Sequence, residues 1–301
     1  MFKFGVAGYP LAFSKSKYNK DRLKIFNWLK DLNLDAFEAQ MTYGPRTSVD
    51  NCKQIKLISE EFNIKVSVHA AYYIVLTSNE RSKIERSIDT LLKTYELADL
   101  MGADVIVLHP GPLYKQNPEL IMERFLENLS KFFSKLGNSN IGLFLETAGK
   151  KGQLGSVEEI IYACKHFENC FPCIDFGHVH AREGGSLGEE NSIDELFRFM
   201  NKNNLFMQSS RIHFHYTPID YGPNGEIVHK AIDDKYPDDN QLSLNLFDDK
   251  KNDSYYHPRL EPIVKNFIKY NLNATVISET HNSQEIGAMA MKAHYNILRE
   301  L

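Results

Sequence analysis

Short apolar or β-branched runs alternate with longer segments of helical period from one end of the chain to the other, and eight such pairs can be counted. The strand candidates are residues 3–8 (KFGVAG), 36–40 (AFEAQ), 65–70 (KVSVHA), 104–109 (DVIVLH), 141–146 (IGLFLE), 171–175 (FPCID), 211–216 (RIHFHY) and 274–279 (ATVISE). Each precedes an amphipathic stretch. In residues 82–102, Ile84, Ile88, Leu91, Leu92 and Tyr95 recur at helical spacing before Gly102, a residue suited to ending a helix. Eight βα units in 301 residues predict one α/β domain, a closed (β/α)8 TIM barrel spanning 1–301. An open doubly wound sheet is the weaker option, because no G-x-G-x-x-G loop follows the first strand. One departure from regularity is a long polar loop at about 217–257, rich in Asp, Asn, Lys and Pro, which marks a functional or mobile insertion.

Active faces of such barrels lie at the C-terminal ends of the strands. The ionisable residues fall there in sequence: His69 after the third strand, His109 after the fourth, Glu146 at the end of the fifth, Asp175 at the sixth with His178 three residues on. His215 closes the seventh, with His229 in its loop, and Glu279 closes the eighth. A single strand-end histidine is most often satisfied by a carbonyl, but a buried carboxylate needs donors or an opposite charge. None of these strand ends offers a neighbouring Lys or Arg. Imidazoles and carboxylates gathered without cations predict metal ions, and a nitrogen-rich set favours zinc, two or three per chain. His213 shares the strand face of His215, so spacing alone leaves the choice between them open. His180 reads as an outer partner or rim residue, and His166, His257, His281 and His294 read as structural or solvated.

Composition narrows the partners. The chain is 43% hydrophobic and 25% charged with a net charge of -4, which gives no overall positive field for polyanions or anionic lipid. No stretch approaches the roughly 18 apolar residues of a membrane span, and the start MFKFGVAGYP lacks the apolar run of a secretion signal. A cytoplasmic monomer with no membrane partner is expected. Four cysteines, Cys52, Cys164, Cys170 and Cys173, do not make a disulfide framework, and the C-x-x-C at 170–173 reads as small buried hydrophobes.

The blocks SVHAAYYIVL, VLHPGP, LETAGKKGQLGSVEEI, CIDFGHVHA, HYTPIDYGPNGEIVH and VISET together resemble the endonuclease IV family of apurinic/apyrimidinic (AP) endonucleases, within the xylose-isomerase-like TIM barrel superfamily. The likeness covers nearly the whole chain, and LETAGKKGQLGS is its most specific part. It implies a trinuclear zinc site: His69 and His109 on one ion, Glu146 bridging to a second completed by Asp175, His215 and Glu279, and His178 with His229 on a third. It also implies duplex DNA with abasic sites as partner, Glu146 as the catalytic residue, and Tyr72 and Arg46 as side chains inserted into DNA. Lys150, Lys151 and Arg182 are further candidates for phosphate contacts.

One departure stands out. Where members close to the family prototype carry D-x-H at the last loop histidine, this chain reads GEIVH, with Ile227 at the Asp position and Glu226 one residue earlier. A divergent branch carries a similar variant, and completion of the third site then depends on Glu226. Two other functions remain open: a sugar isomerase or epimerase using one Mn or Mg ion between Glu146 and Glu279, and a DNA-binding protein with a weakened metal site.

Overall fold

A computed structural model describes residues 2–206, 212–236 and 255–300. Eight parallel strands close into a barrel: β1 (Lys3–Ala7), β2 (Ala36–Gln40), β3 (Lys65–His69), β4 (Val105–Leu108), β6 (Gly142–Glu146), β8 (Cys170–Asp175), β9 (Ile212–Tyr216) and β12 (Ala274–Ser278). Two short strands, β5 (Gly111–Pro112) and β7 (Gln153–Leu154), pair on the rim, and β10 (Ile219–Gly222) with β11 (Gly225–His229) form a hairpin after β9. The barrel meets the sequence expectation strand for strand, to within a residue or two at each end. The segment expected as one long loop differs, because its first part is the β10–β11 hairpin. Most of its acidic stretch, 237–253, and Arg211 lie outside the described residues.

Alternation along each strand explains where the core sits. On β4, Ile106 and Leu108 pack outward into the large apolar cluster between barrel and helices, while Val105 and Val107 point inward with Phe144 and Cys173. That outer cluster is closed by helices such as Arg81–Leu100, which buries Ile88, Leu91, Tyr95 and Ala98, and Pro118–Leu136, which buries Ile121, Phe125, Leu129 and Phe132. All four cysteines are buried and free, so the reading of the C-x-x-C as packing residues stands.

The same alternation turns polar side chains into the upper barrel. Asp175 pairs in register with His215, Cys173 with His213 and Gln40 with His69. Each strand that presents an apolar side chain to the helices therefore delivers its last inward residue to the mouth. Among the described residues no helix is long and apolar enough to cross a membrane.

Candidate metal centre

Glu146 lies at the centre of the mouth with no exposed surface. Its Oε2 is 3.0 Å from His69 Nε2 and 3.1 Å from His109 Nε2, while its Oε1 is 3.0 Å from His215 Nδ1 and 3.3 Å from His178 Nδ1. His215 Nδ1 also lies 3.6 Å from Glu279 Oε1. On the far side His178 Nε2 is 3.3 Å from His229 Nε2. All eight ligand candidates from the strand ends are thus brought into one connected cluster.

Local chain geometry aims these groups. Asp175 ends β8 and caps the helix Phe176–Arg182, its Oδ1 accepting the His178 N–H at 2.7 Å. This cap turns His178 back over the mouth. A carbonyl can only accept, so each ring nitrogen bonded to one carries the hydrogen. His69 Nδ1 donates to Ala70 O at 2.9 Å, His178 Nδ1 to Thr147 O at 2.9 Å and His229 Nδ1 to Glu279 O at 3.2 Å. In the neutral rings every Nε2 lone pair then faces the cluster, the state needed to bind a metal ion.

The cluster fits cations better than it fits itself. Two Nε2 atoms 3.3 Å apart cannot both offer lone pairs without repulsion. Among the described residues Asp175 Oδ2 and His109 Nδ1 are buried without a hydrogen-bond partner, a costly state for polar atoms away from water. Among the described residues no Lys or Arg forms an ion pair with Glu146, Asp175 or Glu279. Three ligand sets that could hold an ion arise at the mouth, each with donor atoms within 4.8 Å of one another: His69, Glu146 and His215; Glu146, Asp175, His215 and Glu279; and His178, Glu226 and His229; a fourth set, Glu38, His213 and His215, lies below it.

Protonation responds to the same crowding. Burial disfavours the charged form of His69, but the hydrogen bond and charge of Glu146 overcome it and hold the imidazolium up to about 9. His109, for which burial outweighs Glu146, falls to about 4. Burial would raise the Glu146 carboxyl, yet the surrounding imidazoles hold it well below the ordinary range. Glu279 is raised, first by burial and then, against the pull of His215, by the charge of Glu146.

The hairpin explains the GEIVH departure. Ile219 pairs with His229 and Asp220 with Val228, but Tyr221 pairs with Glu226, so Ile227 is the extra residue of a β-bulge. In a regular strand residues 227 and 229 would share a face. The bulge restores Glu226 to the face of His229, 3.6 Å from its Nε2 and 3.8 Å from His178 Nε2, and leaves Ile227 62% exposed. The GKKG loop grips this hairpin: Glu226 N–H donates to Gly149 O at 3.0 Å and Lys151 N–H to Asn224 O at 3.1 Å. A Cβ at Gly149 would meet Glu226 Oε2 at 2.8 Å, so this position must lack a side chain for the carboxylate to reach the site.

The other expected site residues are dispersed around the mouth. Tyr72 is 65% exposed and meets Tyr43 and Tyr73 edge-on in a rim cluster beside the loop of Arg46, which is exposed, as are Lys150 and Lys151. Arg182 is spent internally, its Nη1 donating to Lys150 O at 2.8 Å and Gln153 O at 3.0 Å and its Nη2 to Glu159. His180 is buried and accepts the Leu187 N–H at 3.0 Å, an internal structural bond. His213, the alternative to His215, lies below the mouth, bonded at 3.0 Å to Glu38. Glu38 itself, fully buried on β2, is a residue of this cluster that the strand-end pattern does not reach. Its signal was a carboxylate inside AFEAQ with the inward parity of Gln40.

Known proteins match this architecture. A family model described as a xylose isomerase-like TIM barrel matches residues 26–265. An uncharacterized protein of Methanocaldococcus jannaschii is 33% identical over 238 residues, covering 78% of this chain and 83% of that protein. A probable endonuclease 4 of a Sulfurihydrogenibium species is 29% identical over 150 residues, 48% of this chain and 53% of the relative, so the match spans about half of that protein. Among solved structures, endonuclease IV from Thermus thermophilus superposes with a TM-score of 0.68 at 16% identity, covering 100% of this chain and 99% of that one. A D-tagatose 3-epimerase-like protein gives 0.65 at 17%, covering 99% and 98%. Identities this low carry the fold and nothing more. The chain belongs to the xylose isomerase-like TIM barrel family.

Proposed function

We propose that the chain is a zinc-dependent AP endonuclease of the endonuclease IV type, hydrolysing the phosphodiester 5′ to abasic sites in duplex DNA. The observation that carries this reading is the convergence of five imidazoles and the carboxylates of Glu146, Asp175, Glu226 and Glu279 on one mouth, with no Lys or Arg among the described residues paired to these carboxylates. His69, His109 and Glu146 would hold one ion, Glu146 with Asp175, His215 and Glu279 a second, and His178, His229 and Glu226 a third. Such ions supply a lowered water pKa, toward about 7, and positive charge for both the entering and leaving oxygens of an in-line displacement.

The chain's own groups do the rest. Glu146, central and ionised, orients or deprotonates the attacking water over the phosphorus. The bond from phosphorus to the 3′ oxygen of the upstream nucleotide breaks, leaving a 3′-hydroxyl there and a 5′-phosphate on the abasic residue. An abasic nucleotide has no base to unstack, so drawing it into the mouth costs less than drawing in a normal one. Tyr72 fills the gap in the duplex, with Arg46 beside it, and Lys150 and Lys151 meet phosphates from the loop that braces the hairpin. Three divalent ions would add about six positive charges at the mouth, which offsets the net negative charge locally.

A second reading has a specific observation behind it. Glu146, Asp175, His215 and Glu279 alone form a carboxylate-rich set for one ion, as a sugar isomerase or epimerase using Mn or Mg would need. It leaves His69, His109, His178 and His229 without a role. Zinc loading followed by incubation with a duplex carrying one tetrahydrofuran abasic analogue separates the two: incision 5′ to the analogue is expected, and binding without incision, or one tightly held Mn per chain, overturns the nuclease.

The bulge makes its own prediction. Glu226→Ala is expected to lower retained zinc by about one ion per chain and incision by roughly 10–100-fold. Adding Ile227→Asp to Glu226→Ala should not rescue either, because that side chain points to solvent; rescue in metal analysis and incision assays would show the hairpin pairs regularly.

A further inference from the structure

Three of the histidines around the mouth are oriented by a backbone carbonyl on Nδ1, which leaves Nε2 to face the cluster. His215 is reversed. It lies within β9, and its inward atom is Nδ1, 3.0 Å from Glu146 and 3.6 Å from Glu279. Its outer edge, Nε2, reaches across the barrel interior to Glu38 on β2, 3.1 Å from Oε1 and 3.3 Å from Oε2.

We propose that Glu38 is a positioning residue that grips the Nε2 edge of His215 and thereby presents Nδ1 to the ion shared with Glu146, Asp175 and Glu279. This rests on the metal reading of the site given above. Glu38 and His213 have no exposed surface, and Ser67 is 1% exposed. Ser67 Oγ donates to Glu38 Oε2 at 2.9 Å, His213 Nε2 lies 3.0 Å from the same oxygen, and Gln40 Nε2 donates to Oε1 at 3.3 Å. Gln40 also reaches Glu279 Oε1 at 3.4 Å, which ties this lower layer to a second ligand of the same ion. A carboxylate held from three sides cannot rotate away, so the imidazole bonded to it keeps its plane. Carboxylate partners of ligating histidines fix ring orientation and tautomer in this way. Such a role gives a reason for a buried acid in a barrel interior that also holds the apolar Val105, Val107, Phe144 and Cys173.

The test uses the whole chain and zinc alone. In 15N-histidine spectra of the zinc-loaded wild-type protein, His215 should be ligated through Nδ1 with its proton on Nε2, and His69, His178 and His229 should show the opposite tautomer. Ligation of His215 through Nε2 overturns the proposal without any variant. In chelator titrations, Glu38→Gln should weaken the ion at the Glu146, Asp175, His215 and Glu279 set by roughly 10–100-fold, and Ser67→Ala by less, with the ion at His178, Glu226 and His229 unchanged. Wild-type zinc retention with an unaltered Glu38→Gln curve sinks Glu38 alone. A wild-type chain that retains no zinc removes the metal reading and this proposal together.

Discussion

Glu146→Ala is expected to retain at most one zinc ion per chain and to incise an abasic duplex at least about 10³-fold more slowly than the wild type, while still binding the duplex. The expectation follows from where the side chain lies. Its two oxygens each meet two imidazoles at 3.0–3.3 Å, so its removal disconnects two of the three ligand sets at once. A residue confined to one set would lose one ion. The remaining set, His178, Glu226 and His229, shares no atom with Glu146 and should survive. Glu146→Gln is the sharper variant, since it keeps the volume but replaces one oxygen with an amide nitrogen that cannot accept or ligate. Metal analysis alongside single-turnover incision separates lost ions from lost chemistry. Full zinc content and wild-type incision in Glu146→Gln would remove Glu146 from the centre of the reaction.

The barrel and most of its mouth were legible because two periodicities coincide. Alternation of period two places inward residues, and the βα repeat says which end of each strand is active, so His69, Glu146 and Asp175 could be placed from sequence, whereas His213 and His215 share one parity and only the family resemblance favours His215. Glu38 could not, because it lies one layer below the mouth, where the expected occupant is a side chain like Val105 or Phe144. Its role depends on a contact across the barrel with a residue 177 positions away. The hairpin was hidden for a related reason. The turn residues of YGPNGEIVH are visible, but the bulge at Ile227 is a property of pairing between two strands and leaves no mark on either alone. Arg182 shows the converse limit: nearness to the mouth is readable, whereas the carbonyls of Lys150 and Gln153 that occupy its guanidinium are set by how the loop after β6 folds back.

Stability against pH should reveal the ions without any assay of activity. In chelator-stripped protein, His69 is held up to about 9 against an ordinary 6.5: burial opposes its charge, and the bond to Glu146 outweighs burial. A raised histidine stabilises the fold fully below 6.5, and that contribution is lost as pH rises through about 9. Burial also opposes the charge of His178 and His215, but Asp175 and Glu146 raise the first, and Cys173 followed by Glu38, Glu146 and Glu279 raise the second, so both act in the same direction. His109, pushed down to about 4 chiefly by burial, acts in the opposite sense, its contribution present above 6.5 and lost as pH falls. The stripped protein should therefore be most stable near pH 6.5 and lose roughly 2–4 kcal/mol by pH 9, a fall in Tm of roughly 3–6 °C for a chain of this size. With zinc bound the slope should reverse. Ligation requires the same imidazoles to be deprotonated, so metal competes with protons and gains affinity as pH rises. Calorimetric melts from pH 6 to 9.5, with and without chelator, read both limbs. Identical pH slopes in the two series would mean that the imidazoles around Glu146 hold protons or each other, and that no ion stabilises the cluster.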